Sequence, residues 1–485
     1  NYDSIPLVVI TGQVATDLIG NDAFQEVDIV GMTRNITKYS VTVKDREELG
    51  TILKKAFYIA RTGKPGPVVV DLPTNIQTAS GPSDYPKRVT IRGYKPCTSV
   101  HLGQLKKAYK LLEHAKRPLI LAGGGVRISH AENLLKEFAE KTGVPVVTTL
   151  MGKGVLPAGH ELYIGNSGKH GRYAANMAMA ECDVLFSIGT RFNDRITGKL
   201  NEFASSAKIV HIDIDTASIS RNVQVDVPVV SDATLALDSL LEWAAPMKTE
   251  KWRKHLGEYE EKYPLAMRRD RGISPQMVME KINEIFPTGI VCADVGQNQM
   301  WAAQYIESDK DKPFITSGGL GTMGFGLPAA IGAKIACPDR DVICVTGDGG
   351  LQMNIQEMAT AITEDAPVVI CLLNNQYLGM VKQFQTLLYG KRYFGTCLRA
   401  RSTCPKDCKG PSEDCPPYTP DFKALAESYG AYGIRVEKPE DIEEALKQAR
   451  KHKDAPTLIE FIIASDELVL PMVNGNAPIS DMIMR

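Results

Sequence analysis

Asp341-Val342-Ile343-Cys344-Val345-Thr346-Gly347-Asp348-Gly349 is an apolar run that stops on an acid flanked by glycines. A second run, Val368–Leu373, stops on Asn374-Asn375, and 24 residues separate Gly349 from Asn374. Runs that are apolar throughout, rather than alternating, suit parallel strands covered on both faces. Ligands of open parallel sheets bind beyond the carboxyl ends of the strands, so an acid and an amide at two such ends can share one crevice. Both offer oxygen, which suits a hard cation such as Mg²⁺. Gly347 and Gly349 let backbone come close to an anion, and a helix starting there aims N–H groups at it. Taken singly, each motif is an ordinary turn or loop; the pairing after two strands carries the reading.

Strand-sized apolar runs recur at Leu7–Ile10, Val68–Val70, Leu119–Leu121, Val144–Val147, Val184–Ile188, Ile209–Ile214 and Ile290–Ala293. Helix-length amphipathic segments, such as Glu47–Arg61, Leu102–His114 and Ala131–Lys141, lie between them. The fold class is therefore α/β with open parallel sheets. Turn-rich Thr78–Ser99 and polar Met247–Gly272 mark two boundaries. A length of 485 residues suits about three domains. Net charge is −1, with 44% hydrophobic and 23% charged residues, so nothing invites nucleic acid or an anionic membrane. No apolar run is long enough to span a bilayer as a helix. Ten cysteines in this length are not a disulfide scaffold, and a reducing cytoplasm is expected. Gly319-Leu320-Gly321-Thr322-Met323-Gly324 matches a dinucleotide fingerprint by letter, but the next strand ends in the Asp348 motif rather than in a ribose-binding acid.

Longer stretches make the reading specific. Ser317–Ala333, Asp294–Trp301, Pro6–Gln13 with Gly20–Glu26, Gly189–Lys199 and Val469–Val473 follow one another as in the catalytic subunits of acetohydroxyacid (acetolactate) synthases, thiamine-diphosphate enzymes that the chain resembles over nearly its whole length. The resemblance implies the second half of a pyrimidine-binding domain at 1–77, an FAD-binding domain at 100–245, a diphosphate and Mg²⁺ domain at 270–470 and a tail at 471–485. It implies a homodimer or dimer of dimers with a small regulatory subunit. The reaction implied is decarboxylation of pyruvate and transfer of the hydroxyethyl unit to pyruvate or 2-ketobutyrate, for branched-chain amino-acid synthesis.

Roles carry over residue by residue. Asp348, Asn375 and the carbonyl of Tyr377 match Mg²⁺ ligands. Gln297, Asn298, Gly321, Gly347 and Gly349 match positions around the cofactor, and Met323 the residue that bends it. Arg195 matches the receptor of the second 2-keto acid, where a guanidinium fork fits a carboxylate. Phe24 and Gln25 match residues facing the active site across the dimer, and Met380 and Phe384 match pocket walls. FAD contacts are implied at Lys64, Gly123, Gly124, Gly125, Thr149, Leu150, His170, Gly171, Gly189, Arg191, Asp194, Asp213 and Asp232.

The chain also departs from its relatives. Ala15 stands for a common Pro, Lys64 for Arg, Lys169 for Met, Ser231 for Gly, Asn298 for His and Phe384 for Trp. The glutamate that meets the pyrimidine ring, and the glycine-rich loop facing the thiazolium, are expected upstream of Asn1, and without them the chain is expected to be inactive. Cys397, Cys404, Cys408 and Cys415, spaced x6, x3, x6, lie in an insertion at about 396–417. Four thiolates suit Zn²⁺ or an iron–sulfur cluster, whereas a surface loop with free thiols is the plainer reading. Two other functions fit the motifs: a thiamine- and FAD-dependent pyruvate oxidase, which would consume oxygen, and a non-catalytic subunit that binds FAD and docks partners.

Overall fold

A computed structural model describes residues 1–484 except 406, 407, 409, 411, 413 and 419. The chain forms two compact units. The first is 1–100 with 214–217 and 230–232; the second is the remainder of the described chain.

In the first unit, β1 (Leu7–Gln13) and β2 (Tyr39–Thr42) pair in parallel with β3 (Pro67–Pro73), giving the order β1-β3-β2. Helix α1 (Leu49–Arg61) buries Ile52, Ala56, Ile59 and Ala60, a stripe at helical spacing. That stripe packs with Val68 and Val70 of β3. Strand β1 lies at the sheet edge and leaves Leu7 and Ile10 exposed.

The second unit holds two six-stranded sheets. The earlier one comprises β4 (Pro118–Ala122), β5 (Val146–Thr148), β6 (Tyr163–Asn166), β7 (Val184–Ile188), β8 (Lys208–Asp213) and β9 (Val227–Val230), in the order β6-β5-β4-β7-β8-β9. Chain order therefore reverses between β4 and β7, which is the arrangement of a dinucleotide-binding sheet. Helix α2 (Leu102–Glu113) is capped by His101 and buries Leu105, Ala108, Tyr109 and Leu112 at i, i+3, i+4 and i+7. The polar segment read as a boundary includes the helix Glu250–Lys262, which drives Trp252 and Leu256 into the core of this sheet.

The later sheet comprises β10 (Ile290–Ala293), β11 (Phe314–Thr316), β12 (Val342–Gly347), β13 (Val369–Asn374), β14 (Tyr432–Val436) and β15 (Thr457–Ile462), all parallel, in the order β11-β10-β12-β13-β15-β14. The runs Ile290–Ala293, Val342–Val345 and Val369–Leu373 of its central strands are apolar at every position because both faces are covered. Ile343 and Val345 enter one core while Val342 and Cys344 enter the other, and β13 divides in the same way. Alternation along a strand sends neighbours to opposite faces. Cys292, Cys344 and Cys371 are buried here as small apolar side chains, and burial pushes all three thiols up. Among the described residues no helix is long and apolar enough to cross a membrane.

Two motifs with more than one reading are placed as follows. Among the described residues no three His, Cys, Asp or Glu side chains are placed to hold an ion, and the four cysteines of the insertion are free thiols, the plainer of the two readings. Three of the sulfurs serve local turns. Arg401 N–H donates to Cys404 Sγ at 3.3 Å, Ser412 N–H to Cys415 Sγ at 3.2 Å, and Cys408 Sγ donates to the Gly410 carbonyl at 3.2 Å. The glycine-rich loop 319–324 does lie between a strand, β11, and a helix, α3 (Gly326–Ala336). It is tied to the later sheet, however, since Gly324 N–H donates to Asp294 Oδ1 at 2.9 Å.

Candidate active site

The reversal of strand order in the later sheet falls between β10 and β12. Past their carboxyl ends lies a half-open cavity, lined among others by Gln297, Asn298, Met323, Gly347, Asp348, Gly349, Asn375, Tyr377 and Met380. Nine of the residues proposed from sequence thus meet at one place. Gly321 sits in the adjoining loop with φ +63°, which an L side chain rarely adopts.

Helix α4 (Asp348–Leu351) starts on the acid itself. Asp348 is 2% exposed. Oδ1 accepts from Gly349 N–H at 3.1 Å; Oδ2 is buried without a hydrogen bond of ordinary geometry, with the Tyr418 hydroxyl and the Gln376 N–H lying near the carboxyl. Burial pushes the carboxyl up to about 7. A buried carboxylate is costly unless a cation meets it. The donor set of carboxylate, amide oxygen and backbone carbonyl is that of a hard ion such as Mg²⁺. Asn375 is held in place from two sides. Its Nδ2 donates to Gln297 Oε1 at 3.0 Å, and its Oδ1 accepts from Tyr377 N–H at 3.1 Å. Trp301 Nε1 is a buried, unpartnered polar atom in the cavity lining.

Sequence reasoning missed several supports. Gln383 accepts from Gln297 Nε2 at 3.0 Å and so fixes the residue that fixes Asn375. Gly379 admits no side chain, because a Cβ there would stand 2.0 Å from Gln297 Oε1 and 2.6 Å from Asn375 Nδ2. The glycine four residues past Asn375 was the available signal. The insertion is laid along the same loop. Leu398 N–H donates to the Gln376 carbonyl at 3.0 Å and Leu378 N–H to the Thr396 carbonyl at 2.8 Å. Arg399 bonds Gln376 Oε1 at 3.0 Å and the Cys415 and Pro416 carbonyls at 3.0 and 2.6 Å.

The earlier sheet has a strand-order reversal of its own. Gly123–Gly125 follow β4 and Gly189 follows β7, the pair of strands at which order reverses. Their glycines have a packing reason of their own. A Cβ on Gly125 would lie 2.6 Å from Gly189 Cα, and one on Gly123 would lie 2.2 Å from the Gly189 carbonyl. Thr149 and Leu150 follow β5, His170 and Gly171 follow β6, Arg191 and Asp194 follow β7, and Asp213 ends β8. Past the ends of β6 and β7, Ser167 Oγ, His170 Nδ1 and Asn193 Oδ1 are buried without hydrogen-bond partners. Burial and the Lys169 charge lower His170 to about 3, so its ring is neutral. These unsatisfied atoms, beyond the strand ends of a sheet with dinucleotide-binding strand order, fit a flavin dinucleotide.

Other expected residues are placed as follows. Lys64 and Asp232 belong to the first unit, where the Lys64 ammonium meets Asp215 at 3.0 Å. Phe24 and Gln25, also in the first unit, are exposed, Phe24 by 87%. Arg195 is exposed, with Nε 3.5 Å from Asp194 Oδ2. Phe384 lies on α5 (Gly379–Leu388), one turn beyond Met380.

If Asp348 binds the metal, protons compete with it. We expect Mn²⁺ affinity, read by water-proton relaxation without any diphosphate, to fall about tenfold per pH unit below about 7 and to be level above it. Affinity that is level from pH 5.5 to 7 would remove Asp348 from the coordination sphere.

Comparison with known proteins agrees with this geometry. Residues 294–461 match the family model of the thiamine pyrophosphate enzyme C-terminal TPP-binding domain, and residues 105–240 that of the central domain of the same enzymes. The chain is 43% identical over 490 residues to the acetolactate synthase large subunit of Corynebacterium glutamicum, covering 99% of this chain and 76% of that protein. It is 42% identical over 492 residues to the large subunit from Haemophilus influenzae (99% and 83%). Identity is also 42%, over 485 residues, to the isozyme 3 large subunit of Escherichia coli (97% and 81%).

Proposed function

The chain belongs to the family of acetolactate synthase large subunits, and from that premise we propose that its later sheet binds thiamine diphosphate through Mg²⁺ and its earlier sheet binds FAD. On this reading the chain divides into 1–77, 100–245, 270–470 and a tail at 471–485. One pyruvate loses CO₂, and the remaining two-carbon unit is joined to the keto carbon of pyruvate or 2-ketobutyrate. The observation that carries the proposal is the buried Asp348 carboxyl, its Oδ2 without a hydrogen bond of ordinary geometry, in a cavity shared with Asn375.

Asp348, Asn375 and the Tyr377 carbonyl would hold the metal, with Gln297 fixing the Asn375 amide. Gly347 and Gly349 admit the diphosphate closely; a Cβ on Gly349 would already meet Leu378 Cδ2 at 2.6 Å. When bound, thiamine diphosphate supplies the nucleophilic carbon and accepts the electron pair left by decarboxylation. Met323 is the residue positioned to hold the cofactor bent. Met380 and Phe384 wall the substrate side, and Arg195 receives the acceptor carboxylate. The reaction has no net redox change, so residues around FAD have a holding role. Exposed apolar side chains, among them Ile10, Phe24 and Met32 in the first unit and Leu320 and Phe394 in the second, support self-association and a partner subunit.

The test is made on the full-length polypeptide. With Mg²⁺, FAD and thiamine diphosphate, two pyruvates should give one acetolactate and one CO₂ without oxygen uptake. Oxygen uptake matching CO₂ release would make it an oxidase. A further outcome concerns Phe384. Phe is a smaller wall than Trp and lacks the indole N–H, and one methylene in an apolar pocket is worth only about 1–3 kcal/mol. Phe384→Trp should raise the share of 2-ketobutyrate product, and lower the concentration of sulfonylurea needed for inhibition, in a competition assay with both acids. An unchanged product ratio would show that Phe384 does not govern acceptor choice.

A further inference from the structure

Lys169 is brought to the rim of this site by long-range contacts. Its N–H donates to the Arg195 carbonyl at 2.8 Å, and its own carbonyl accepts from Val473 N–H at 2.8 Å. The backbones come this close because residue 168 is glycine: a Cβ there would lie 2.7 Å from the Arg195 carbonyl. The Lys169 ammonium rests 4.7 Å from the centroid of the Phe384 ring. Phe384 follows Met380 by four residues on one helix, so the two share a face, and Met380 lines the cavity. Met380 in the cavity lining is thus followed one turn on by Phe384, whose ring meets the Lys169 ammonium, and Lys169 in turn meets the Arg195 backbone.

The charges here are unbalanced. Lys169 and Arg195 repel one another, and burial and the Arg195 charge push the Lys169 ammonium below its usual range. Asp194 is the carboxylate that opposes this, and it is shared with Arg195 at 3.5 Å. Two cations beside one exposed carboxylate leave net positive charge at the mouth. A cation held over an aromatic face is positioned without a carboxylate partner that an incoming anion would have to displace.

We propose that Lys169 is a second substrate-binding cation, taking the carboxylate of the acceptor 2-keto acid together with Arg195. The proposal rests on the reading of Arg195 as the acceptor's receptor, and it adds a residue that sets how tightly the acceptor is captured.

The probe is oxamate, an amide analogue of pyruvate that cannot be decarboxylated, titrated by calorimetry into the full chain loaded with its cofactors. Lys169→Met should weaken oxamate binding by about 10- to 150-fold, as loss of one hydrogen bond to a charged group would. Lys169→Arg should restore it to within about threefold, because charge is kept. Flavin content and thiamine diphosphate affinity, measured in parallel, should not move. If Arg195→Ala loses oxamate but Lys169→Met does not, the Lys169 role is overturned and the reading beneath it stands. If neither loses oxamate, both are overturned. Equal weakening by Met and Arg would make shape, not charge, the cause and would also overturn the proposal. Should Lys169→Met lose its flavin, the decision passes to Arg195→Ala: oxamate binding that still weakens with salt supports Lys169, and binding independent of salt rejects it.

Discussion

Asp348→Ala should abolish Mg²⁺-dependent binding of thiamine diphosphate. Residues that merely orient metal ligands are worth about 10–100-fold in metal affinity, so a direct carboxylate ligand should exceed that. The same substitution should make the metal-free protein more stable. Asp348 is raised in the fold from 3.8 to about 7 by burial. The folded state then holds a proton that the unfolded chain releases, so stability of the metal-free protein falls as pH rises from about 4 to about 7 and is level above. Through this one group the cost at neutral pH is about 4 kcal/mol, in order of magnitude. Removing the carboxyl removes that cost, less the contribution of the Gly349 hydrogen bond. The wild type, in turn, should gain about 2.7 kcal/mol from ligand at a hundred times its Kd, and the variant should gain none. Thermal melts with and without Mg²⁺ and cofactor read both effects. Undiminished cofactor binding in the variant, or a metal-free variant less stable than the wild type at pH 7, would contradict the assignment.

Arg195→Ala should weaken capture of the acceptor keto acid, with little effect on cofactor loading. Truncating one partner of a charged hydrogen-bonded pair costs about 2–5 kcal/mol, or roughly 30- to several-thousand-fold. Arg195 is 63% exposed and its Asp194 contact is 77% exposed on the acid's side. Such a pair is worth little in water, so Asp194 does not compete strongly with a substrate. The exposure places the expected loss toward the lower end, near a hundredfold. It should be seen as a raised acceptor KM, with a larger share of product from the more concentrated acid. Unchanged kinetics for the second keto acid would refute the role.

Much of this was legible in the chain because both-face burial leaves an unmistakable mark. Val342–Val345 and Val369–Leu373 are apolar at every position since alternate residues enter two different cores. The Asp348 and Asn375 motifs could be placed at strand ends for the same reason. Strand order could not be read this way. Periodicity records how a strand is buried but not which neighbour it pairs with, so the reversals between β4 and β7 and between β10 and β12 emerged only in the fold. Gly123, Gly125 and Gly189 read as a close approach to a ligand, yet two backbones crossing already require them. For the four cysteines both a metal centre and a loop of free thiols stay open in the sequence, because spacing counts residues and does not report where sulfurs point. Lys169 and Phe384 were each noticed as departures, but they stand 215 positions apart and nothing local links them. Gln383 and Gly379 support the site through contacts of that same long-range kind.

The most direct test is anomalous diffraction from crystals of this chain grown with Mn²⁺ and thiamine diphosphate. The account predicts a metal peak within about 2.0–2.3 Å of Asp348 Oδ2, the Asn375 side-chain oxygen and the Tyr377 carbonyl, with diphosphate oxygens completing the shell beside Gly347 and Gly349. A bound cofactor whose metal lies elsewhere, or a filled cavity with no cation at Asp348 Oδ2, would contradict it.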